Sequence, residues 1–373
     1  VFPVQDILNE RLRDKKLACF GAGRMLRNFA ERFGQADFAE KIRIIMDNDK
    51  EKQNTEVELY GRRIKIVSVE TFCSEYPTGE YIILIMLDDG ISVFSQLRHI
   101  GQLEDVECCM AMFVRGKTNE LDERNRHYPE KLRIYDKQMI PKVIHYCWFG
   151  GKGMPERNRE WIAGWRRHCP DYELVEWNES NYDVTKNAYM HEAYRAKKWG
   201  FVSDYVELDV IYRYGGIYLD TDVEVIKNPD ELLYQDAFAG VDGTRNVSLG
   251  LGFGAVPGFP LIKALLDEYA DRSFRSPDGT MDCTAAPTLQ IPFFRKLGYV
   301  NNGEYQRIGN LSIYTEKILS GKCNYTGAIK PTKDTILVHH YDGSWTLDER
   351  KSRIKKMHEL YQEICEMEEA HQA

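Results

Sequence analysis

Gly215-Gly216-Ile217-Tyr218-Leu219-Asp220-Thr221-Asp222 is the stretch that says most about the fold of this chain. A di-glycine turn precedes a hydrophobic strand that ends in two carboxylates. Because residues i and i+2 of a strand point to the same face, Asp220 and Asp222 are expected to project together, with Cα atoms roughly 6–7 Å apart. One carboxylate would then bind a divalent cation directly, and the other would reach it through water or hold a nearby hydroxyl. An isolated Asp-x-Asp is typical of a solvated strand end, and only its neighbours favour a metal site.

The residues before this stretch predict a helix that carries further acids. Ser203 is the predicted N-cap, Asp204 lies in the first turn, and Gly215 ends the helix. Asp204 and Glu207 are one turn apart on one face. Because the helix runs straight into the strand, three acids are expected to converge, and they would repel each other unless a cation neutralises them. Helix capping and surface charge would explain the same residues without a cation.

The length and composition of the chain limit its class. Its 373 residues suggest two domains, and a net charge of −8 argues against a dedicated nucleic-acid binder. No apolar run approaches the ~18–20 residues that cross a bilayer, and no secretory signal is recognised. The nine cysteines lack metal-binding spacing and are typical of reduced thiols. We therefore expect a cytoplasmic protein of the α/β class that binds no nucleic acid.

Residues 1–116 predict a Rossmann-like domain with a parallel sheet and crossover helices. Gly21-Ala22-Gly23 stands at the first strand-to-helix turn, and Asp47 ends the second strand. This arrangement is part of a dinucleotide fingerprint, but Leu26 occupies the place of the third glycine. A bound nucleotide and a purely structural domain both remain open. The predicted strands are Lys16–Phe20, Ile42–Met46, Arg63–Val67, Tyr81–Leu87 and Val106–Phe113, and the helices are Arg24–Phe33, Val69–Tyr76 and Ile91–Gly101.

Residues 117–138 are strongly charged and lose periodicity, which indicates a linker. A second domain is predicted over residues 139–346, followed by a charged helix within 347–373. Its first strand ends in Gly150-Gly151, where backbone amides can approach a ligand. Trp148 at the same place could stack on a nucleobase or pack in the core. A strand at Thr335–Val338 precedes His339 and His340, and a histidine there could bind a metal or simply hydrogen-bond in a loop.

Taken together, the second domain resembles glycosyltransferase family 32, the sugar-binding-region family that contains the Asp-x-Asp motif. The yeast initiating α-1,6-mannosyltransferase and bacterial capsular-polysaccharide enzymes belong to it, and glucosylating bacterial toxins are more distant relatives. The resemblance covers about Met139 to Trp345. Its motifs occur in family order, namely Ile-Pro-Lys-x-Ile-His-x-x-Trp at 140–148, Ser-Asp at 203–204, Tyr-Gly-Gly-Ile-Tyr-Leu-Asp-Thr-Asp at 214–222 and His-His-x-x-Gly-Ser-Trp at 339–345.

The resemblance implies a GT-A fold, a nucleoside-diphosphate sugar donor and Mn²⁺ or Mg²⁺. It implies catalytic roles for Asp204, Asp220 and Asp222, and metal ligation by Asp220, Asp222 and His340. The residues that it implies for donor binding are Trp148, Gly150, Tyr218, Ser344 and Trp345. One departure stands out, since Glu207 occupies a position where family members commonly have Arg. Either Arg213 or a lysine elsewhere substitutes for that charge, or the donor differs, or activity is low.

The resemblance therefore implies a metal-dependent, retaining glycosyltransferase that acts on a glycan or lipid-linked glycan in capsule or surface polysaccharide synthesis. A UDP-sugar is expected before a GDP-sugar, and any membrane contact is expected to be peripheral, at the inner face of the cell membrane. Two alternatives stay open. A non-catalytic sugar-nucleotide binding protein would account for Glu207, and an NAD-dependent oxidoreductase would use Gly21–Gly23.

Overall fold

A computed structural model describes residues 14–33, 40–87, 90–114, 116, 129, 131–343 and 348–372. The chain divides into two compact units. The first unit comprises Val1–Asn125, Tyr325–Gly327 and Leu347–Ala373, and the second comprises Arg126–Asn324 and Ala328–Thr346. Among the helices of the described residues, none combines the length and the apolar character that crossing a membrane requires.

The first unit is built on a six-stranded sheet in the order β3-β4-β2-β1-β5-β6. All neighbouring pairs are parallel except β3 and β4, which form an antiparallel hairpin. The strands are β1 (Lys16–Phe20), β2 (Ile42–Met46), β3 (Glu56–Leu59), β4 (Arg62–Val67), β5 (Tyr81–Ile85) and β6 (Cys108–Met110), and the helices are α1 (Arg24–Phe33), α2 (Val69–Glu75) and α3 (Gly90–Arg98).

Both faces of this sheet are buried, which explains why its central strands are continuous apolar runs. Every residue of β5 is buried, as are the last four of β1. Parallel strands of this kind are covered by helices on both sides. The predicted parallel sheet with crossover helices is confirmed. The sequence did not predict β3, whose alternation of exposed glutamates with Val57 and Leu59 is that of an edge strand packed on one face.

The last helix, α10 (Asp348–Gln372), belongs to the first unit. Met357 is buried, and Leu360 and Tyr361 pack against the same apolar cluster as Phe113 and α3. Ring centroids of Phe113 and Tyr361 are 5.0 Å apart. The helix returns to a core that the chain built almost entirely before residue 115.

The second unit contains a mixed sheet in the order β14-β15-β11-β13-β9-β7-β8, with β12 paired to β11. β7 is parallel to β8 and β9, and β13 is antiparallel to β9 and β11. The strands are β7 (Val143–Cys147), β8 (Glu173–Trp177), β9 (Gly216–Tyr218), β10 (Val223–Val225), β11 (Ala237–Val241), β12 (Val247–Ser248), β13 (Phe253–Ala255), β14 (Gln306–Ile308), β15 (Leu311–Tyr314) and β16 (Leu337–His339), and the helices are α4 (Glu156–His168), α5 (Ala188–Arg195), α6 (Trp199–Tyr214), α7 (Pro260–Asp267), α8 (Ala286–Lys296) and α9 (Glu316–Leu319).

Helix α6 leads directly into the central strand β9. It begins at Trp199, so Ser203 lies inside the helix, where its hydroxyl donates to the carbonyl of Trp199 at 3.3 Å. The prediction of Ser203 as N-cap is wrong, because the buried residues Phe201 and Val202 extend the apolar face by one more turn. Gly215 ends the helix at φ +66°, as predicted.

Strands β10 and β16 form a separate two-stranded sheet beside the end of β9. They are antiparallel, with Val223 opposite His339 and Val225 opposite Leu337. This pairing brings a segment more than one hundred residues downstream against the Asp-x-Asp turn. The register of two short strands therefore decides which histidine meets the carboxylates.

Candidate active site

The Asp-x-Asp motif lies in a turn rather than in a strand. Strand β9 ends at Tyr218, and the amide of Val223 donates to the carbonyl of Asp220 at 3.0 Å, which closes a four-residue turn. The side chain of Asn158 fixes the turn by donating to the carbonyl and hydroxyl of Thr221. The Cα separation expected from strand geometry is therefore wrong for Asp220 and Asp222. The turn directs both carboxylates toward one point.

A histidine completes this cluster. One ligand atom each from Asp220, Asp222 and His339 lies within 4.8 Å of the others. His339 Nε2 is 4.0 Å from Asp220 Oδ2 and 3.5 Å from Asp222 Oδ1. Burial disfavours the charged imidazole, but the two carboxylates outweigh it and raise the pKa of His339. Two carboxylates and an imidazole are a donor set that suits Mn²⁺, since imidazole favours softer ions than Mg²⁺.

The structure brings His339, and not the predicted His340, to the Asp pair. His340 Nε2 lies 2.9 Å from Glu224 Oε2, and its ring stacks on Trp161 with centroids 4.3 Å apart. The reason is the strand period, because neighbouring residues of a strand point to opposite sides. His339 is the last residue of β16 and His340 follows it, so the register of β16 against β10 decides which of the two faces the Asp pair.

Asp222 is held from two directions by the segment after β16. Its carbonyl accepts the amide of His340 at 3.0 Å, and its Oδ2 accepts the amide of Asp342 at 2.8 Å. This leaves Oδ1 toward His339. A carboxylate fixed in this way keeps one oxygen aimed at the centre of the cluster. The predicted donor-binding residues Ser344 and Trp345 follow directly but lie outside the described residues.

Asp204 and Glu207 of α6 stand next to Asp220, as predicted. Burial and the charge of Asp220 raise the pKa of Asp204 to about 8. Burial, Asp220 and Asp204 together raise the pKa of Glu207, which is only 4% exposed, well above its ordinary value. Burial also raises the pKa of Asp220, although its side chain is 38% exposed, which weakens that effect. Glu207 thus favours its neutral acid form and adds no full charge to the cluster.

Tyr218 and Trp148 occupy different environments. Tyr218 is 1% exposed, and its hydroxyl donates to Asp220 Oδ1 at 3.2 Å. It therefore orients the carboxylate from within the core and offers no surface to a ligand. Trp148 is half-buried at the end of β7, with its Nε1 donating to the carbonyl of Lys152 at 2.6 Å. Its ring position remains compatible with the predicted stacking role.

Gly150 forms a close backbone approach beside Trp148. It has φ +97°, and a Cβ there would lie 2.6 Å from Cε2 of Trp199. Its amide donates to Glu179 Oε1 at 2.6 Å. A glycine is required here by the tryptophan that opens α6, and the amide already has a partner. Packing against Trp199 therefore explains the glycine, and its approach to a donor stays a prediction.

Basic side chains that the sequence did not single out lie near the cluster. Arg157 Nη1 is 3.9 Å from Asp342 Oδ1, and Lys322 Nζ donates to the carbonyl of His340 at 2.5 Å. Arg272 acts electrostatically on Asp204 and forms an ion pair with Asp282. Arg213, proposed from the sequence as a substitute cation, instead pairs with Asp209 on its own helix at 3.3 Å. No local spacing signalled Arg157, Lys322 and Arg272, because these three residues come from three separate segments.

In the first unit, the residues of the partial dinucleotide fingerprint hydrogen-bond within the protein. Gly21 has φ +108°, and the amide of Ala22 donates to Asp47 Oδ2 at 2.8 Å. The amide of Asp49 donates to Asp47 Oδ1 at 2.9 Å. In a dinucleotide site, the acid at this position would hold a ribose hydroxyl. Here both of its oxygens accept backbone amides, which favours the structural interpretation of the motif.

The second unit is similar to known glycosyltransferases. Residues 155–239 match the family model described as a glycosyltransferase sugar-binding region containing the DXD motif. Inositol phosphoceramide mannosyltransferase 3 of Schizosaccharomyces pombe is 29% identical over 165 residues, 41% of this chain and 43% of that protein. Mannosyl phosphorylinositol ceramide synthase CSH1 of Saccharomyces cerevisiae is 30% identical over 133 residues, 34% of each chain. The chain spans less than half the length of these relatives.

Two solved glycosyltransferase structures match part of this chain, at low identity and low TM-score. The PaToxG glycosyltransferase has a TM-score of 0.29 and 18% identity, covering 42% of this chain and 69% of that one. A glycosyltransferase involved in glycosylation of the major capsid of PBCV-1 has a TM-score of 0.34 and 13% identity, covering 58% and 98%. The segment that matches the family model contains α6, β9 and the Asp-x-Asp turn. The resemblance to the DXD-containing glycosyltransferases is confirmed, and residues 155–239 are the segment that carries the match.

Proposed function

We propose that this chain transfers a sugar from a nucleoside-diphosphate donor to an acceptor hydroxyl, with a divalent ion bound by Asp220, Asp222 and His339. The observation that carries the proposal is the convergence of these three side chains within 4.8 Å on the turn that follows β9. The match of residues 155–239 to the sugar-binding region supports it. The yeast relatives are named as mannosyl-transferring enzymes, which adds mannose to the donor sugars worth testing.

The residues of the second unit fit the parts of such a reaction. A divalent ion at the cluster would supply positive charge to the departing diphosphate. Asp222 holds its free oxygen toward the cluster, because the amide of Asp342 occupies the other. Asp204, one helix turn before Leu208, would orient hydroxyls of the donor sugar. Arg157 and Lys322 lie near Asp342, next to the cluster. Both side chains would supply positive charge to the diphosphate, in place of the Arg that Glu207 replaces.

The finer points of the proposal follow from the resemblance. We propose retention of anomeric configuration, with attack from the face that the diphosphate leaves. Trp148 would stack on the donor base, with Gly150, Ser344 and Trp345 near the donor. The donor would be a UDP-sugar before a GDP-sugar. The acceptor would be a glycan or lipid-linked glycan of surface polysaccharide, reached by a cytoplasmic protein in peripheral contact with the membrane.

Asp222→Asn tests the proposal. The substitution keeps the shape of the side chain and removes its charge, so we expect Mn²⁺-dependent hydrolysis of the productive donor to fall by at least about a hundredfold. A panel of UDP- and GDP-sugars identifies that donor, and EDTA should abolish its turnover. Asp267→Asn is the matched control, since Asp267 is exposed and pairs only with Lys263 among the described contacts. Full turnover of Asp222→Asn in EDTA would contradict the proposal.

The same assay separates the non-catalytic alternative. A sugar-nucleotide sensor would bind a donor with Mn²⁺ by calorimetry and show neither transfer nor slow donor hydrolysis. Glu207 is the feature that favours this alternative, because it is buried where family members commonly have Arg, and its pKa is raised by burial and the neighbouring acids. Turnover by the wild type at any rate that Asp222→Asn removes would exclude it.

A further inference from the structure

The second unit contains a small cavity beside α6 that the reaction described above does not use. It has a volume of about 40 Å³ and lies between α6, α7 and α8, lined in part by Leu208, Tyr269, Arg272 and Gln290. That volume admits on the order of three water molecules, or one hydroxymethyl group.

Two of the residues that line the cavity each have a buried polar side-chain atom without a partner among the described residues. Gln290 is 4% exposed, and its Oε1 has no hydrogen-bond partner among the described residues. Arg272 Nε is likewise buried and unpartnered within the described part of the chain. Buried polar groups are nearly always hydrogen-bonded, and each exception costs free energy. Two such atoms in one cavity indicate that something polar completes them.

The chemistry of the pair defines what fits. Arg272 Nε–H can only donate, and Gln290 Oε1, in the orientation that the structure gives the amide, can only accept. A hydroxyl group both donates and accepts, so it satisfies the two atoms together. An anion would be repelled by the lone pairs of Gln290 Oε1, and an ammonium group would be repelled by the positive charge of Arg272. The cavity is thus matched to a hydroxyl.

Arg272 connects this cavity with the residues of the candidate active site. Its Nη2 pairs with Asp282, and its guanidinium lies 5.5 Å from the ring centroid of Tyr189. Tyr189 in turn packs edge-on against Tyr269, with centroids 5.2 Å apart. Asp204 is one turn before the cavity-lining Leu208 on α6, and the charge of Arg272 acts on it. Asp282 and Tyr189 therefore hold Arg272 in place without hydrogen-bonding to its Nε.

We propose that this cavity is a subsite for one hydroxyl or hydroxymethyl group of the substrate sugar, held by Arg272 Nε and Gln290 Oε1. The proposal rests on the proposed transferase function, because the sugar is the substrate of that reaction. The sugar can be that of the donor or of the acceptor, and both would meet near Asp204. Gln290 then determines sugar specificity and leaves the nucleotide untouched.

Gln290→Met in the full chain tests the subsite. Methionine keeps the unbranched shape and removes the amide. We expect calorimetry with Mn²⁺ to give an affinity about tenfold lower for whichever of UDP-glucose and GDP-mannose the wild type binds. Affinity for the matching nucleoside diphosphate should not change. Tm should stay equal or rise, because an unpaired buried amide is lost. Leu289→Met, which changes an apolar wall of the same cavity, is the matched control.

The outcomes distinguish the sources of the hydroxyl. Methyl α-D-mannopyranoside, titrated in the same way, serves as the acceptor probe. If only the affinity for this probe falls, the hydroxyl in the cavity belongs to the acceptor, which also supports the subsite. If Gln290→Met binds all these probes as the wild type does, the cavity holds water only and the proposal is overturned. If the wild type binds none of them, the subsite and the proposed function both fail. If sugar nucleotides bind but are not turned over, the proposed transferase function is contradicted. A lower sugar-nucleotide affinity of Gln290→Met than of the wild type would still support the subsite.

Discussion

Replacing His339 with Ala should remove Mn²⁺ binding, whereas replacing His340 with Ala should preserve it. His339 Nε2 faces both carboxylates of the cluster, while His340 pairs with Glu224 and stacks on Trp161. Loss of an outer partner of a metal ligand typically lowers metal affinity by about 10–100-fold, so loss of a ligand itself should cost at least as much. Electron paramagnetic resonance of free Mn²⁺ measures the affinity of each variant. A larger loss in His340→Ala than in His339→Ala would reverse the assignment.

At the scale of residues, the sequence predicted the acids of the site and missed the choice between two adjacent histidines. Asp204, Asp220 and Asp222 follow from local spacing on one helix and one turn. The histidine depends on the register of β16 against β10, which is a contact between distant segments. Arg157, Lys322 and Arg272 were missed for the same reason. Burial of Glu207 beside Asp220 also appears only in three dimensions.

Gly216→Ala should destabilise the second unit far more than Gly258→Ala. Both glycines have positive φ, +101° and +73°, which costs an alanine about 1–2 kcal/mol. At Gly216 a Cβ would also lie 2.7 Å from the carbonyl oxygen of Val143, whereas at Gly258 nothing lies within 4 Å. We expect a loss of at least about 3 kcal/mol in the free energy of unfolding at Gly216 and about 1 kcal/mol at Gly258.

Tryptophan fluorescence in a urea titration measures this difference selectively. All six tryptophans lie in the second unit, so their signal reports the unfolding of that unit alone. Equal losses in the two variants would show that the close approach of β9 to β7 does not constrain residue 216. Donor hydrolysis by Gly216→Ala should fall together with its stability, because β9 leads into the Asp-x-Asp turn.

At the scale of elements, apolar runs predicted the parallel strands well and the polar edges poorly. β1 and β2 were predicted with their observed bounds, because their apolar runs are clearly delimited. β3 was missed, since Glu56 and Glu58 face solvent and break the apolar run. The Asp-x-Asp was predicted to follow strand geometry. The chain turns there because Asn158, from another helix, holds Thr221.

At the scale of the whole molecule, local sequence patterns do not predict which core the last helix packs against. The predicted C-terminal helix exists, but its return to the core of the first unit depends on Met357 and Tyr361 meeting Phe113 and α3. The helix pattern contains no sign of that partner. Each of the two units nevertheless has its own apolar cores, so the effect of a ligand can be assigned to one of them.

Hydrogen exchange on the full chain should show ligand protection in the second unit only. With Mn²⁺ and the productive sugar nucleotide, we expect slower exchange in residues 219–225 and 337–343, because β10 and β16 carry the cluster. NADH should leave residues 16–26 and 42–49 unchanged, since the amide of Ala22 is already bonded to Asp47. Asp222→Asn should abolish the metal-dependent protection. Slower exchange at Gly21–Gly23 with NADH would instead assign a nucleotide to the first unit and revive the oxidoreductase hypothesis.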